Sequence, residues 1–223
     1  MCEQAPQRVE TWSALVKYKL IIFDFDGTLA NSFPWVLEAI DRLAEKYGFK
    51  KVERNELDKL RSLDARQVMK KYAVSPWKTL SMARDIRSWM AADIEKICMF
   101  DGIDHLLQRL SERGTQLAVV SSNSVHNIRR VLGPQNAARI DYYECGASLF
   151  GKPAKFKKVL RASRIHPGEA LCIGDEIRDI EAAHKVKIPF GAVSWGYTNV
   201  EALQAHAPFE VFANIEDMLT KIV

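Results

Sequence analysis

The sequence predicts an α/β protein: a doubly wound parallel sheet with a small all-helical domain inserted after its first strand. Three observations carry this. Four short apolar runs are separated by helical patterns. The runs are apolar throughout, as strands covered on both faces are. Residues 32–97 show helical periodicity and no convincing strand. Strands alternating with helices imply a parallel sheet.

The first run, Leu20–Phe23, is followed by two carboxylates two positions apart, Asp24 and Asp26. Phe33, Val36, Leu37, Ile40, Leu43, Ala44 and Tyr47 then form a helical stripe. Ser32 is suited to cap it, Pro34 to its first turn and Gly48 to its end. Asp64 opens a second helix, with Gln67 placed for a capping box. Ser75 and Pro76 start a third, running to about residue 97. Beyond it come a helix over 104–110 stopped by Gly114, a strand over 117–120, and a helix over 125–132 stopped by Gly133 and Pro134. Strands over 170–173 and Phe190–Val193 complete the pattern. The organisation expected is an extension at 1–19, a core at 20–31 and 99–223, and a helical domain at 32–98, joined near 30–32 and 99–102.

At 223 residues the chain is long enough for one large domain or two small ones. It is 48% hydrophobic and 27% charged, an ordinary globular composition. The net charge of +4 suits a small anionic substrate better than nucleic acid, which calls for a basic stripe. The one short basic cluster, residues 152–158, reads as a solvated helix face. The four cysteines show no C-x-x-C pair, and Cys172 sits in an apolar run as a core thiol. No secretory signal or membrane span is recognisable, so the cytoplasm is the expected compartment, with no nucleic-acid or membrane partner.

Open parallel sheets bind ligands at the carboxyl ends of their strands. Asp24, Asp26, Gly27 and Thr28 follow the first run; Ser121, Ser122 and Asn123 follow the second; Gly174, Asp175 and Asp179 follow the third, with Gly151-Lys152-Pro153 upstream. Several carboxylates at one edge call for a cation. A set of oxygen ligands without cysteine or histidine points to magnesium. Magnesium shares its shell with phosphate, and serine, backbone amides and lysine suit the remaining phosphate oxygens.

Asp24-Phe25-Asp26-Gly27-Thr28-Leu29, Ser121, Lys152 and Gly174-Asp175-x-x-x-Asp179 resemble, in that order, the four motifs of the haloacid dehalogenase-like superfamily. The likeness runs from about Leu20 to the end, and the helical insert resembles that family's mobile cap on a Rossmann-like core. Ser121–Ser124 ("SSNS") and Ser194–Tyr197 ("SWGY") are similar to the phosphoglycolate phosphatase-like branch, which often has Asp where this chain has Asn31. The difference is expected to alter how the cap connection is hydrogen-bonded.

The resemblance implies a magnesium-dependent phosphatase acting on a small phosphorylated metabolite, with 2-phosphoglycolate as leading candidate. Asp24 would be the nucleophile, forming an aspartyl-phosphate, and Asp26 the general acid and then base. Ser121, Ser122, Asn123 and Lys152 would hold the phosphoryl group, Lys152 also answering charge in the transition state. Asp24, Asp26 through its backbone carbonyl, Asp175 and Asp179 would serve the metal; Asp179 would ligate through water or orient Lys152. Gly27 would let the chain turn closely around the phosphate. In the cap, Arg61 and Arg66 are candidates to read a substrate carboxylate. A monomer or weak dimer is expected. A sugar-phosphate mutase keeps the same pair of carboxylates and stays open, as does a non-enzymatic aspartyl-phosphate signalling or phosphate-binding module. A dehalogenase lacks the second carboxylate, so Asp26 argues against one.

Overall fold

Leu20 and Ile22 pack into one hydrophobic cluster, Ile21 and Phe23 into another on the opposite side, and all four are fully buried. The unbroken apolar run is the consequence of cover on both faces. This computed structural model describes residues 17–146 and 151–223. Its strands are β1 (Leu20–Phe23), β2 (Gln116–Val120), β3 (Tyr142–Glu144), β4 (Ala170–Gly174), β5 (Phe190–Val193) and β6 (Glu210–Phe212). All pair in parallel, in the order β3-β2-β1-β4-β5-β6.

The helices are α1 (Phe33–Tyr47), α2 (Leu57–Leu60), α3 (Ala65–Lys71), α4 (Thr79–Ala92), α5 (Ile103–Glu112), α6 (Val125–Arg139), α7 (Gly151–Ser163), α8 (Ile177–Lys185), α9 (Val200–Gln204) and α10 (Ile215–Ile222). Residues of α5, α6 and α10 join Ile21 and Phe23; residues of α7, α8 and α9 join Leu20 and Ile22. The chain runs outward from β1 through β2 to β3, then returns to β4 on the other side of β1. That reversal opens a crevice at the carboxyl ends of β1, β2 and β4.

Between β1 and α5, the residues from α1 to α4 are helical and turn structure, flanked by the isolated bridges of Ala30 with Asp26 and with Met99. Their two connections run side by side: Asn31 N donates to Cys98 O at 2.9 Å and Phe100 N to Leu29 O at 3.0 Å. Asn31 itself is exposed. The segment also rests on α6, where Arg130 Nη1 donates to Ala91 O at 2.9 Å and Asn127 Nδ2 to Arg87 O at 3.0 Å. No helix of the described residues is long and apolar enough to cross a membrane.

Several local expectations need correction. β3 and β6 are three-residue edge strands, too short to show a pattern in sequence. α6 resumes after a break at Gly133 (φ 70°, ψ 168°) and runs to Arg139. Pro134 permits this because the first turn of a helix needs no N–H there. α4 ends at Ala92, and Ile94–Lys96 is a separate 3₁₀ turn. The capping box of Asp64 and Gln67 forms, and Gly48 closes α1 at φ 69°. Ser32 stands at the N-cap of α1, but its hydroxyl does not cap the helix; it serves Asp26 instead. The basic cluster is not uniformly solvated: Lys157 and Lys158 are exposed, but Lys155 is buried and Lys152 nearly so. Of the expected extension, residues 1–16 lie outside the described residues; Tyr18 is buried against the core.

Candidate active site

Asp24 is still in register with the sheet, its N–H donating to Ile173 O at 2.8 Å, when its carboxylate leaves the strand end. Asp175 follows β4 immediately, and Asp179 lies in the first turn of α8. One carboxylate oxygen from each of these three lies within 4.8 Å of the other two, and all three residues are buried. Lys152 reaches the cluster from the start of α7: its Nζ stands 2.8 Å from Asp24 Oδ2 and 2.5 Å from Asp179 Oδ1. Asp175 is held from both sides, Oδ1 accepting from Thr28 Oγ1 at 2.9 Å and Oδ2 from Tyr197 N at 2.7 Å. Asp179 Oδ2 is buried with no hydrogen-bond partner among the described residues.

Ionised together, three buried carboxylates against one lysine leave negative charge over. That excess, the unpartnered Asp179 oxygen and the all-oxygen donor set fit a small hard dication. Asp24, Asp175 and Asp179 are the residues that could hold it.

Asp26 stands apart from this group. Its Oδ1 accepts from Ser32 Oγ at 2.9 Å, and its Oδ2 from Asn123 Nδ2 at 3.1 Å. Burial, then the charge of Asp24, pushes its carboxyl up to about 6. Asp24 is buried too, which opposes its ionisation, yet the Lys152 cation overrides this and holds it below the usual carboxylate value. Burial pushes Asp175 well above that value, and burial with the neighbouring Asp24 charge raises Asp179 to about 8. Lys152 keeps its proton, because the two facing carboxylates outweigh its burial.

Asp24, Asp26, Ser121, Ser122, Asn123, Arg87 and Arg178 are among the residues lining a cavity of about 180 Å³ over the strand ends. Ser121 is buried at the end of β2, its Oγ accepting from Asn123 N at 3.0 Å. The Asn123 amide is engaged with Asp26, not left open toward a phosphate. Arg61, expected to face substrate, instead donates from Nε to Tyr197 O and from Nη2 to Gly196 O, both at 3.0 Å. Two of its five N–H donors, one on Nε and one on Nη2, are thereby spent on core carbonyls. Arg66 is exposed and lines a neighbouring cavity beside Ser122, Lys152 and Arg178. The arginine that the helical segment carries into the 180 Å³ cavity is Arg87 of α4, which sequence reasoning did not single out.

Gly27 has a reason beyond the close turn expected of it. At φ 77°, a Cβ there would lie 2.3 Å from Asp175 Oδ2 and 2.7 Å from the Tyr197 ring. The glycine is required by side chains pressing on it. Lys155, one turn beyond Lys152, donates to Ser121 O at 2.6 Å and Gly146 O at 2.5 Å, tying α7 to the ends of β2 and β3. Helical spacing in Lys152-Pro153-Ala154-Lys155 was the available signal for an inward pair. Trp195 donates from its indole to Thr28 O at 3.2 Å, so the SWGY stretch packs on the first motif.

The family model of the haloacid dehalogenase-like hydrolases matches residues 21–193. The chain is 28% identical over 203 residues to a phosphoglycolate phosphatase of Synechococcus elongatus, covering 91% of this chain and 96% of that one. It is 26% identical over 223 residues to a phosphoglycolate phosphatase of Psychrobacter arcticus, with coverages of 91% and 96%. Among solved structures, a haloacid dehalogenase-like family hydrolase from Streptococcus pneumoniae superposes with a TM-score of 0.76 at 19% identity, over 92% of this chain and 98% of that one. CbbY from Rhodobacter sphaeroides, in complex with phosphate, superposes at 0.70 with 18% identity, over 89% and 95%. These two likenesses concern the fold.

The carboxylate cluster generates a stability prediction. Asp175 and Asp179 have folded-state values above the unfolded value near 4. Their protonated forms therefore favour the fold. That contribution is complete below about pH 4 and is lost as pH rises through about 8. A dication needs both groups ionised, so it supplies most where protons are scarce. Magnesium at about a hundredfold over its Kd should raise Tm by roughly 5–10 °C at pH 8, and by less at pH 5.5. Thermal melts in magnesium and in chelator check this; equal Tm values in the two at pH 8 would remove the cation from the cluster.

Proposed function

The chain belongs to the haloacid dehalogenase-like hydrolase family, in its phosphoglycolate phosphatase-like branch, and is a phosphoric monoester hydrolase; we propose that it is a magnesium-dependent phosphatase working through an aspartyl-phosphate on Asp24. The observation that carries this reading is the split between two neighbouring carboxyls. Asp24 is held ionised beside Lys152, and Asp26 is pushed up to about 6. One is fit to attack and the other to give a proton.

In the first step an Asp24 carboxylate oxygen bonds to phosphorus as the bond to the alcohol oxygen breaks. Asp26 gives its proton to that oxygen. In the second, Asp26 takes a proton from water, whose oxygen bonds to phosphorus and returns Asp24 as carboxylate with release of phosphate. Lys152 and the Ser121 hydroxyl face the phosphoryl oxygens. Magnesium, held by Asp24, Asp175 and Asp179 with the Asp26 carbonyl, would offset the repulsion between the carboxylate and a phosphate dianion. The segment at 32–98 acts as a cap over a core at 20–31 and 99–223. A cytoplasmic monomer or weak dimer fits this reading.

The leading substrate candidate is 2-phosphoglycolate. Supporting it are the names of the relatives, the modest 180 Å³ cavity and its two arginines, Arg87 and Arg178. A second reading, a phosphomonoester of an apolar alcohol, is favoured by an apolar cavity of about 350 Å³ among the insert helices, which shares Ile86, Glu176 and Tyr197 with the first. Magnesium-supported turnover of 2-phosphoglycolate against a series of alkyl phosphates decides between them.

Two tests address the catalytic pair. Asp24→Asn should abolish turnover while leaving Tm close to wild type, since the amide is nearly isosteric and a poor nucleophile. Mass spectrometry of quenched turnover should find phosphate on Asp24; a phosphorylated peptide from elsewhere would refute the assignment. Asp26→Asn should lower kcat about 10²-fold or more for alkyl phosphates, and markedly less for aryl phosphates, whose leaving groups need no proton. Equal losses would take the acid role from Asp26.

Specificity has its own test. Arg87→Ala and Arg66→Ala should each raise KM for 2-phosphoglycolate by about tenfold and leave KM for an aryl phosphate within about twofold, as loss of a charge-assisted bond requires. An unchanged ratio of kcat/KM between the two substrates in both variants would place the reader of the alcohol elsewhere.

A further inference from the structure

The loop after β5, residues 194–199, touches the first motif at Thr28, the carboxylate of Asp175 and the start of the helical segment. Gly196 packs so closely on Asp175 that a Cβ at 196 would fall 2.0 Å from the Asp175 Cβ. The next residue, Tyr197, makes four contacts with four different parts. Its N–H donates to Asp175 Oδ2 at 2.7 Å. Its carbonyl accepts from Arg61 Nε at 3.0 Å. Its ring lies 5.2 Å from that of Phe33, the first residue of α1. Its hydroxyl lies 2.6 Å from Ser32 Oγ.

The direction of that last contact follows from counting protons. A serine hydroxyl has one. Ser32 donates its proton to Asp26 Oδ1 at 2.9 Å, so between Ser32 and Tyr197 the phenol is the donor. The result is an ordered chain from Tyr197 O–H to Ser32 O–H to Asp26 Oδ1. Ser32 is fully buried, so the phenol replaces water there. Oδ1 faces two donors, Ser32 Oγ at 2.9 Å and Asn123 Nδ2 at 3.5 Å, whereas Oδ2 accepts from the Asn123 amide alone at 3.1 Å, so the less engaged Oδ2 is the oxygen with room for the proton that Asp26 transfers.

We propose that Tyr197 is a positioning residue: through Ser32 it selects which oxygen of Asp26 carries the transferable proton, and through Arg61 and Phe33 it makes that selection depend on how the helical segment sits. The inference rests on the reading of Asp26 as the acid. It also gives Arg61 a purpose that substrate binding does not. Arg61 clamps the carbonyls of Gly196 and Tyr197, its guanidinium lies 5.4 Å from the Phe33 ring, and Asn199 N donates back to Arg61 O at 2.8 Å. Displacing the segment removes these contacts and frees the phenol from its seat. A correctly oriented acid would then exist only with the segment seated.

Tyr197→Phe removes one hydroxyl and keeps the ring packing. It should lower kcat/KM for alkyl phosphates about tenfold more than for aryl phosphates, a part of the roughly 10²–10⁴ that a positioned acid supplies. The same change made in Asp26→Asn should add almost nothing to the alkyl loss, because the two act on one proton. Arg61→Ala should reproduce the alkyl-selective loss and combine with Tyr197→Phe less than additively. Equal losses on both substrate classes, or full additivity with Asp26→Asn, would overturn the proposal and leave Tyr197 as packing. If Asp26→Asn itself fails to discriminate between leaving groups, the acid assignment falls first and the inference falls with it.

Discussion

The structure turns on the burial of three carboxylates, Asp24, Asp175 and Asp179, around a single lysine. Like charges at their separation, with oxygens within 4.8 Å, repel by about 3–4 kcal/mol per pair at an effective dielectric of about 20. A domain whose whole stability is about 5–15 kcal/mol cannot carry several such pairs unanswered. Lys152 answers part, bridging Asp24 and Asp179, and Thr28 Oγ1 and Tyr197 N–H answer Asp175. What is left is answered by protons, which burial holds on Asp175 and Asp179, or by a cation in their place. The close packing follows from the same need. Gly27 and Gly196 have no side chains because Asp175 occupies that space, held where its two donors can reach it.

Placement of the cluster depends on the sheet. β1 lies between β2 and β4, so the ends of these three strands are neighbours although their residues are far apart in sequence. Lys155 ties α7 to the ends of β2 and β3 by bonding two of their flanking carbonyls, which steadies the turn of helix from which Lys152 reaches inward. Burial pulls the Lys155 ammonium below its ordinary value, consistent with a bonding role that carbonyl acceptors alone satisfy. Two lysines three positions apart thus divide between electrostatics and architecture.

The central strands were legible in the sequence because their burial on both faces leaves an unbroken apolar run. The edge strands were not, because three half-buried residues such as Tyr142-Tyr143-Glu144 have no period to show. The groups at the strand ends were legible as residue types in order. Their wiring was not. Ser32 looked like a helix cap and is a donor to Asp26, since a buried carboxyl competes for the hydroxyl more strongly than frayed backbone does. Arg61 looked free because nothing in sequence announces that Gly196 and Tyr197, some 135 residues away, present bare carbonyls to it. Arg87 went unnoticed because an arginine on an amphipathic helix is ordinarily solvated; only the seating of α4 on α6 turns it toward the cavity.

Two carboxylates two residues apart at a buried strand end look like a contradiction. The geometry resolves it by giving them different company. Asp24 continues the sheet and meets Lys152, so its charge is compensated at the strand end. Asp26 lies beyond the strand, where it forms an isolated bridge with Ala30, and meets only neutral donors, the Ser32 hydroxyl and the Asn123 amide. Neutral donors stabilise a carboxylate less than a cation does, and Asp24 is close enough for its charge to oppose a second one. The first ionisation therefore makes the second harder. Lys152 sets the state of Asp24 and the charge of Asp24 helps set that of Asp26, so the short spacing that looked like a liability is the means by which one chain segment supplies both an anion and an acid.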